Sequence, residues 1–344
     1  MKKLVAMFVV LSLLATMCIG CQAPAPAEAA PAPTEAAPAP AEATAAPAEE
    51  VKTAEDVKIA VILKSLTNSF WMMAKSAAEA KAEELGVTVE VFAITEETDY
   101  QAQVNTIEDC VNKGFDVIAI VPADSNAVVP ACKAAVKAGV DVIAIDTEIG
   151  EEGIACSYIG SDNVAGGKMA AEYVIDQVGT EGAIAVIRGS EAQTVEIQRY
   201  TGFADEIAAS SKLEIVAEAY ANWSADEAAN VMEDFLSAHP EIKAVFCESD
   251  MMVIGASQIA RAAGRDDIVF IGLDGTVDAL RYVQNGTINA DVAQRPDLMG
   301  EYAVEYGMKL AMGEEIDEVL VTPMDLATTE TVDELVALWE AVGF

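Results

Sequence analysis

One pattern repeats along most of this chain and limits what it can fold into: a short apolar run, a polar turn, then a helix. The first instance is at 57–85. Val57, Ile59, Ala60, Val61, Ile62 and Leu63 form a nearly unbroken apolar run. A strand reads this way when both its faces are covered, as in a parallel sheet flanked by helices. The run stops at Lys64-Ser65-Leu66-Thr67-Asn68-Ser69, and a helical pattern spans 70–85. Gly86 ends it, a residue suited to the left-handed turn that closes many helices.

The cycle recurs with apolar runs at 87–94, 116–121, 140–145 and 154–159, then restarts at 182–187, 213–220, 244–247, 268–273 and 287–293. Helical patterns separate them, among them 99–113 behind Asp99, 166–178, 197–209, 226–238, 252–263 and 297–312. Such alternation predicts parallel sheets with right-handed crossovers. Two runs of similar length predict an α/β fold of two Rossmann-like lobes with a cleft between them. Ligands of open α/β sheets sit beyond the carboxyl ends of the strands. The polar turns are therefore the places to look for a site.

The start of the chain does not share this pattern. Lys2 and Lys3 precede an apolar stretch at 4–17, followed by Cys18-Ile19-Gly20-Cys21. This predicts a signal peptide over 1–20, too short to be a committed membrane span. Ile19-Gly20-Cys21 looks like the end of a lipobox, with Cys18 where a leucine is usual, so Cys21 is the expected lipidation site. An ordinary signal cleaved near Gly20 is the alternative. Residues 22–55 hold seven of the twelve prolines and are otherwise mostly Ala and Glu. Such a segment cannot bury a core. It reads as a tether reaching about 30 Å as a coil and at most about 100 Å as polyproline II.

The formal charge is −37. It argues against nucleic acid, whose phosphates would repel the chain. Cys110, Cys132, Cys156 and Cys247 are scattered, with no C-x-x-C spacing, so neither a zinc site nor a disulfide framework is expected. No metal or cofactor is expected. The single His239, before Pro240, reads as structural.

Leu66-Thr67-Asn68-Ser69-Phe70-Trp71, Ile145-Asp146, Ser161-Asp162-Asn163, Gly202-Phe203, Ala238-His239-Pro240, Gly272-Leu273-Asp274-Gly275-Thr276 and Ala293-Gln294 resemble, in order and spacing, the ribose-type substrate-binding proteins of ABC importers. The likeness covers about 57–326. It implies two lobes joined by three hinge strands, with a sugar between them. Carried onto this chain, the first lobe is 56–160 plus 295–324, and the second is 161–294 plus 325–344. The helical pattern at 331–344 is expected to pack on a lobe surface.

A sugar offers hydroxyls and an apolar C–H face, and its recognition takes carboxylates, amides and aromatic rings. The resemblance places Asp146 and Asp274 as carboxylates from different lobes, Asn68 and Gln294 as amides, and Phe70, Trp71 and Trp223 as rings. Asp146 and Asp274 are also read as possible helix caps or hinge ion pairs, and the two tryptophans as core. Asp162 and Asn163 are assigned to the hinge and a helix cap. The family's arginine after the first aspartate is Thr147 here, a second arginine falls on Ile197, and an asparagine on Ser249. Those missing donors argue against D-ribose itself. Lys64 and Arg199 are the nearby cations that could replace them.

The reading is an extracytoplasmic, lipid-anchored, monomeric solute-binding protein. It would pass a monosaccharide or polyol to an ABC permease and catalyse nothing. A receptor subunit that presents a furanose or sugar to a membrane sensor is the alternative. A glycosidase using Asp146 and Asp274 is a weaker one, since no catalytic His, Walker A or G-x-G-x-x-G motif accompanies them.

Overall fold

A computed structural model describes residues 52–344. The signal peptide, Cys21 and the tether through residue 51 lie outside the described residues. The strands are β1 (Lys58–Leu63), β2 (Thr88–Ala93), β3 (Val117–Ile120), β4 (Asp141–Ile145), β5 (Ser157–Ser161), β6 (Glu181–Arg188), β7 (Lys212–Tyr220), β8 (Ile242–Cys247), β9 (Val269–Asp274), β10 (Ala290–Ala293), β11 (Val319–Thr322) and β12 (Asp325–Thr328). The helices are α1 (Ser69–Leu85), α2 (Tyr100–Lys113), α3 (Val129–Lys137), α4 (Asn163–Val178), α5 (Thr194–Ser210), α6 (Ala225–Ala238), α7 (Asp250–Ala262), α8 (Val277–Gln284), α9 (Pro296–Ala311) and α10 (Val332–Ala341).

These elements form two α/β lobes. The first sheet has the order β2-β1-β3-β4-β5-β11 and the second β7-β6-β8-β9-β10-β12. The two sheets thus repeat one topology. Adjacent strands are parallel in both, except that β12 runs antiparallel to β10.

The strand sequences explain the layering. In β1 the side chains alternate faces. Ile59, Val61 and Leu63 pack with Ala78 and Ala82 of α1 and Met299 and Ala303 of α9. Ala60 and Ile62 pack on the other face with Ile107 of α2 and Ala131 of α3. Each large aliphatic buried this way contributes about 1.5–3 kcal/mol. The second sheet is sandwiched similarly, with α4 and α5 residues on one face and α6, α7, α8 and α10 residues on the other.

The chain passes between sheets three times: after Ser161, after Ala293 and between Thr322 and Asp325. After the second crossing α9 packs along α1. The short β11 and β12 then add one edge strand to each lobe.

Several helices start earlier than the apolar periodicity alone predicts. α4 begins at Asn163, three residues ahead of 166, because the Asp162 carboxylate accepts from Ala165 N. α7 begins at Asp250 because Ser249 Oγ accepts from Met252 N. A side-chain acceptor, not the first apolar residue, fixes the start. The fifth strand lies at 157–161 and not at 154–159. The tail helix does more than cover a surface: Trp339 is 1 % exposed, and its Nε1 donates to Gly275 O at 3.0 Å. Cys110, Cys132, Cys156 and Cys247 are all free thiols. His239 sits at the C-terminus of α6, within reach of Glu241.

Candidate functional site

The carboxyl ends of both sheets face one narrow hollow. It is lined by Lys64, Asn68, Phe70 and Trp71 from the β1–α1 turn, Glu97 after β2, and Asp146 after β4. From the second lobe come Val195 and Arg199 of α5, Trp223 after β7, Ser249 after β8 and Asp274 at the end of β9.

The backbone is unusual where this lining is made. Among the described residues, the non-glycine positions with positive φ are Asp146, Asn222, Trp223 and Asp274. Three of the four line the hollow and Asn222 adjoins it. Such conformations cost about 1–3 kcal/mol each and tend to mark functional sites. Asp146 has φ 57°, and this left-handed kink turns its carboxylate off the end of β4. The Asp146 carbonyl accepts from Tyr158 Oη at 2.7 Å, which braces the kink. Trp223 has φ 64°, and its ring is laid over Gly189. Any Cβ at that position would fall 2.0 Å from Trp223 Cη2.

The charged groups are buried and paired. Arg199 donates to Asn163 Oδ1 at 2.8 Å, to Glu248 O at 2.5 Å and to Asp274 Oδ1 at 3.2 Å. Asp274 also accepts from Gln294 Nε2 at 3.1 Å and from Asp250 N at 3.4 Å. Burial nonetheless pushes the Asp274 carboxyl up to about 8, against the pull of Arg199. Lys64 donates to Gln193 Oε1 at 2.6 Å and to Thr147 Oγ1 at 3.2 Å. Its ammonium lies 5.3 Å from the Trp71 ring centroid and 5.9 Å from that of Trp223. Burial lowers the Lys64 pKa, opposed chiefly by the charge of Asp146.

Not every expected residue reaches the hollow. Gln294 is not in the lining; its Nε2 donates to Asp274 Oδ1 at 3.1 Å, and its Oε1 is buried with no donor among the described residues. Thr147 stands behind Asp146 and donates to Asp146 Oδ2 at 2.7 Å. Asn68 lines the hollow, but its Oδ1 accepts from Phe70 N as the cap of α1. Only its amide NH₂ is free of the cap. Thr276, not Asp274, caps α8. Ile197 is 53 % exposed and does not line the hollow. Trp223 Nε1 is buried and meets no acceptor among the described residues.

Two further residues complete the constellation. Glu97 puts a third carboxylate in the wall, and Trp71 Nε1 donates to both its oxygens at 3.1 and 3.2 Å. Burial raises its pKa to about 7, opposed chiefly by Lys64. Its position just past β2, a strand of the same parallel sheet, was the signal available. Gln193 joins the lobes: besides accepting from Lys64, it donates to Ala123 O at 3.0 Å. Ser125 N to Ala192 O at 2.9 Å and Glu148 N to Thr194 Oγ1 at 3.1 Å tie the same two edges.

A two-lobed α/β protein with carboxylates, amides and indoles converging from both sheets on a small cleft is a binding protein for a small polar solute. The periplasmic binding protein domain model matches residues 59–315. The ribose import binding protein of Bacillus subtilis strain 168 is 32% identical over 274 residues, 80% of this chain and 88% of that protein. The D-allose-binding periplasmic protein of Escherichia coli K12 is 33% identical, over 78% and 87%. An ABC transporter solute-binding protein from Agrobacterium vitis, solved with D-fucose bound, superposes with TM-score 0.78 at 33% identity, over 80% and 97%. The chain belongs to the periplasmic binding protein family, among the ribose-type solute-binding proteins of sugar ABC importers.

Proposed function

We propose that this protein captures a neutral monosaccharide or polyol between its lobes and hands it to an ABC permease. The observation that carries this reading is the convergence of Asp146 and Glu97 from one sheet and Asp274 from the other on a hollow walled by Phe70, Trp71 and Trp223. The carboxylates would accept ligand hydroxyls, and each such charge-assisted bond contributes about 1.5–3 kcal/mol. The rings would cover the C–H face. Ser249 and the amide NH₂ of Asn68, which also acts on Glu97, would add polar contacts, while Gln294 and Thr147 hold the two aspartates. The relatives' ligands, ribose, allose and fucose, have the hydroxyl-rich chemistry this lining suits.

The ligand would favour the closed arrangement over the open one because only the closed form contacts it from both lobes. The lobe assignment follows the sheets: 56–160 with 295–324, and 161–294 with 325–344. Residues 1–20 would be removed as a signal, and Cys21 would carry lipid, so that residues 21–55 tether a monomer to the outer face of the membrane. The protein performs no catalysis in this reading.

A thermal-shift screen against neutral sugars and polyols tests it, since a ligand that binds only the native state raises stability by about 2.7 kcal/mol at a hundredfold excess over its Kd. A shift with a sugar that disappears in Asp274→Ala is the expected result. A shift only with amino acids or nucleosides would overturn the ligand class. Palmitate labelling lost in Cys21→Ala tests the anchor.

A further inference from the structure

Beneath the cleft, on the face of the second sheet that meets α7, lie two carboxyls that the site described above does not use. Asp250 and Asp291 are each 0 % exposed. Asp250 Oδ2 accepts from Thr276 N and Thr276 Oγ1, both at 2.6 Å. Its Oδ1, and both oxygens of Asp291, complete no hydrogen bond with the described residues, although the backbone N–H groups of Gly275 and Asp274 lie close enough to Asp291 to favour its anion. The two side chains converge on one point. Asp291 of β10 is paired with Gly272 of β9. A Cβ on Gly272 would fall 2.5 Å from Asp291 Oδ2 and 3.1 Å from Asp250 Oδ1, so the glycine is what lets both carboxyls approach.

Two anions cannot share such a place without a counter-charge. The surroundings supply none. The charges acting on the pair are their own and that of Asp274, another acid. Arg199 of α5 is engaged with Asn163, Asp274 and the Glu248 carbonyl. Glu248 after β8 is itself a buried acid. From α7 the near neighbour is Val253, and α8 and β12 present Leu280 and Ala327. Asp278 and Arg281 of α8 are exposed. No group of three or more His, Cys, Asp or Glu among the described residues could hold a metal ion.

We propose that Asp250 and Asp291 share a single proton in one carboxyl–carboxylate hydrogen bond, and that this bond positions Asp274 in the cleft. Burial raises the pKa of both groups, in keeping with a retained proton. The mechanical link to Asp274 is short. Asp250 N donates to Asp274 Oδ2, and Asp250 Oδ2 holds Thr276, two residues past Asp274. On the other side Gln294, three residues beyond Asp291, donates to Asp274 Oδ1. The pair therefore clamps α7 to β10 across the loop that carries Asp274. It is a positioning device, and its value for sugar affinity rests on the function proposed above.

The test is a carboxyl-carbon NMR titration of the purified protein without sugar, with Asp291→Asn and Asp250→Asn for assignment. Coupled acids give up their protons in two macroscopic steps that belong to the pair. The expected result is that Asp250 and Asp291 shift together, one proton leaving in acid and the other staying bound through pH 7. In Asp291→Asn that second step disappears and the Asp274 titration moves. Both carboxyls fully ionised at pH 7, or signals that change on treatment with a chelator, would overturn the shared proton. If either variant fails to fold, the wild-type titration alone still decides. Because no sugar is present, failure of the sugar screen leaves this result untouched. If a sugar is found, Asp291→Ala should weaken its binding about tenfold with ring contacts unchanged in tryptophan fluorescence; unchanged affinity would overturn the positioning role.

Discussion

The ring of Trp223 occupies the space that any side chain on residue 189 would need. Its Cη2 lies 2.0 Å from where a Cβ would stand, and its Cζ2 and Cζ3 lie 2.2 and 2.3 Å away. The strand end at Arg188–Gly189 and the strained turn at Ala221–Trp223 are joined by backbone bonds from Ala221 N and Asn222 N to Arg188 O and Gly189 O. The indole is backed by Gly189 and lines the hollow.

Gly189→Ala should therefore act on binding through a residue it never shares with the ligand. Overpacking of this kind costs about 1–3 kcal/mol. We expect a modest loss in urea stability and a larger loss in sugar affinity, because the displaced ring enters the ligand's volume. Calorimetry and tryptophan emission would report both. An unchanged affinity would mean that the Trp223 ring is not part of the wall.

Removing Arg199 should expose the electrostatics of Asp274. Arg199 is 3 % exposed and Asp274 7 %, so Arg199→Met would leave a buried carboxylate without its partner. Breaking such a pair costs about 3–5 kcal/mol. The sign of the pH effect follows from the carboxyl's already raised pKa of about 8. That value already includes the pull of Arg199, so the variant's carboxyl keeps its proton to still higher pH; the penalty should grow as pH rises above about 8, where the wild-type carboxyl ionises against Arg199, and be smaller and flat below it. Denaturation curves at pH 5.5 and 9 would check this. An equal penalty at both would show that Arg199 acts through packing on Asn163 and not through charge.

How much of this could be read beforehand depends on where each residue stands. β1 announces itself because both its faces are buried, and Asp146 and Asp274 because they terminate apolar runs. Glu97 was missed for a different reason. It sits in Thr95-Glu96-Glu97-Thr98, and in a chain with 57 acidic residues such a turn reads as solvated surface. Only the fold shows that the turn bends back under Trp71. β11 and β12 are four residues each and lie at sheet edges, where exposed Val319 and Val321 blur the apolar signal. Gln294 and Thr147 carry ligand-type chemistry but are one layer back. Spacing along the chain cannot tell a residue in the wall from one that buttresses it.

Gln193 is the clearest case of a contact no pattern could show. It accepts from Lys64 at 2.6 Å and donates to Ala123 O at 3.0 Å, so one amide ties two loops of the first lobe to the start of α5 in the second. Gln193→Ala would leave a buried ammonium short of an acceptor and a carbonyl without its donor. A buried group left unsatisfied costs about 1–3 kcal/mol. That cost falls mainly on the closed arrangement, since an open cleft admits water to both groups. Sugar affinity should drop about tenfold or more, while stability without sugar changes less. If stability falls as far as affinity, the residue serves the fold of its own lobe and not closure.

Proton release offers a last test, independent of mutation. Glu97 and Asp274 have pKa values raised to about 7 and about 8 by burial, so each retains part of its proton near neutrality. A hydroxylated ligand that donates to these carboxylates stabilises their anions and lowers both values. Binding must then expel protons over the window around pH 7–8, and affinity must rise with pH across it, because the unbound protein holds protons that the complex does not. Above about pH 8.5 the effect fades as both groups are already ionised. Calorimetric titrations in phosphate and in Tris at pH 7.5 differ in the heat of buffer protonation and so count the protons directly. Equal heats in the two buffers would mean that these carboxyls keep their protons in the complex and act as donors, which reverses the hydrogen-bond polarity assigned to the cleft.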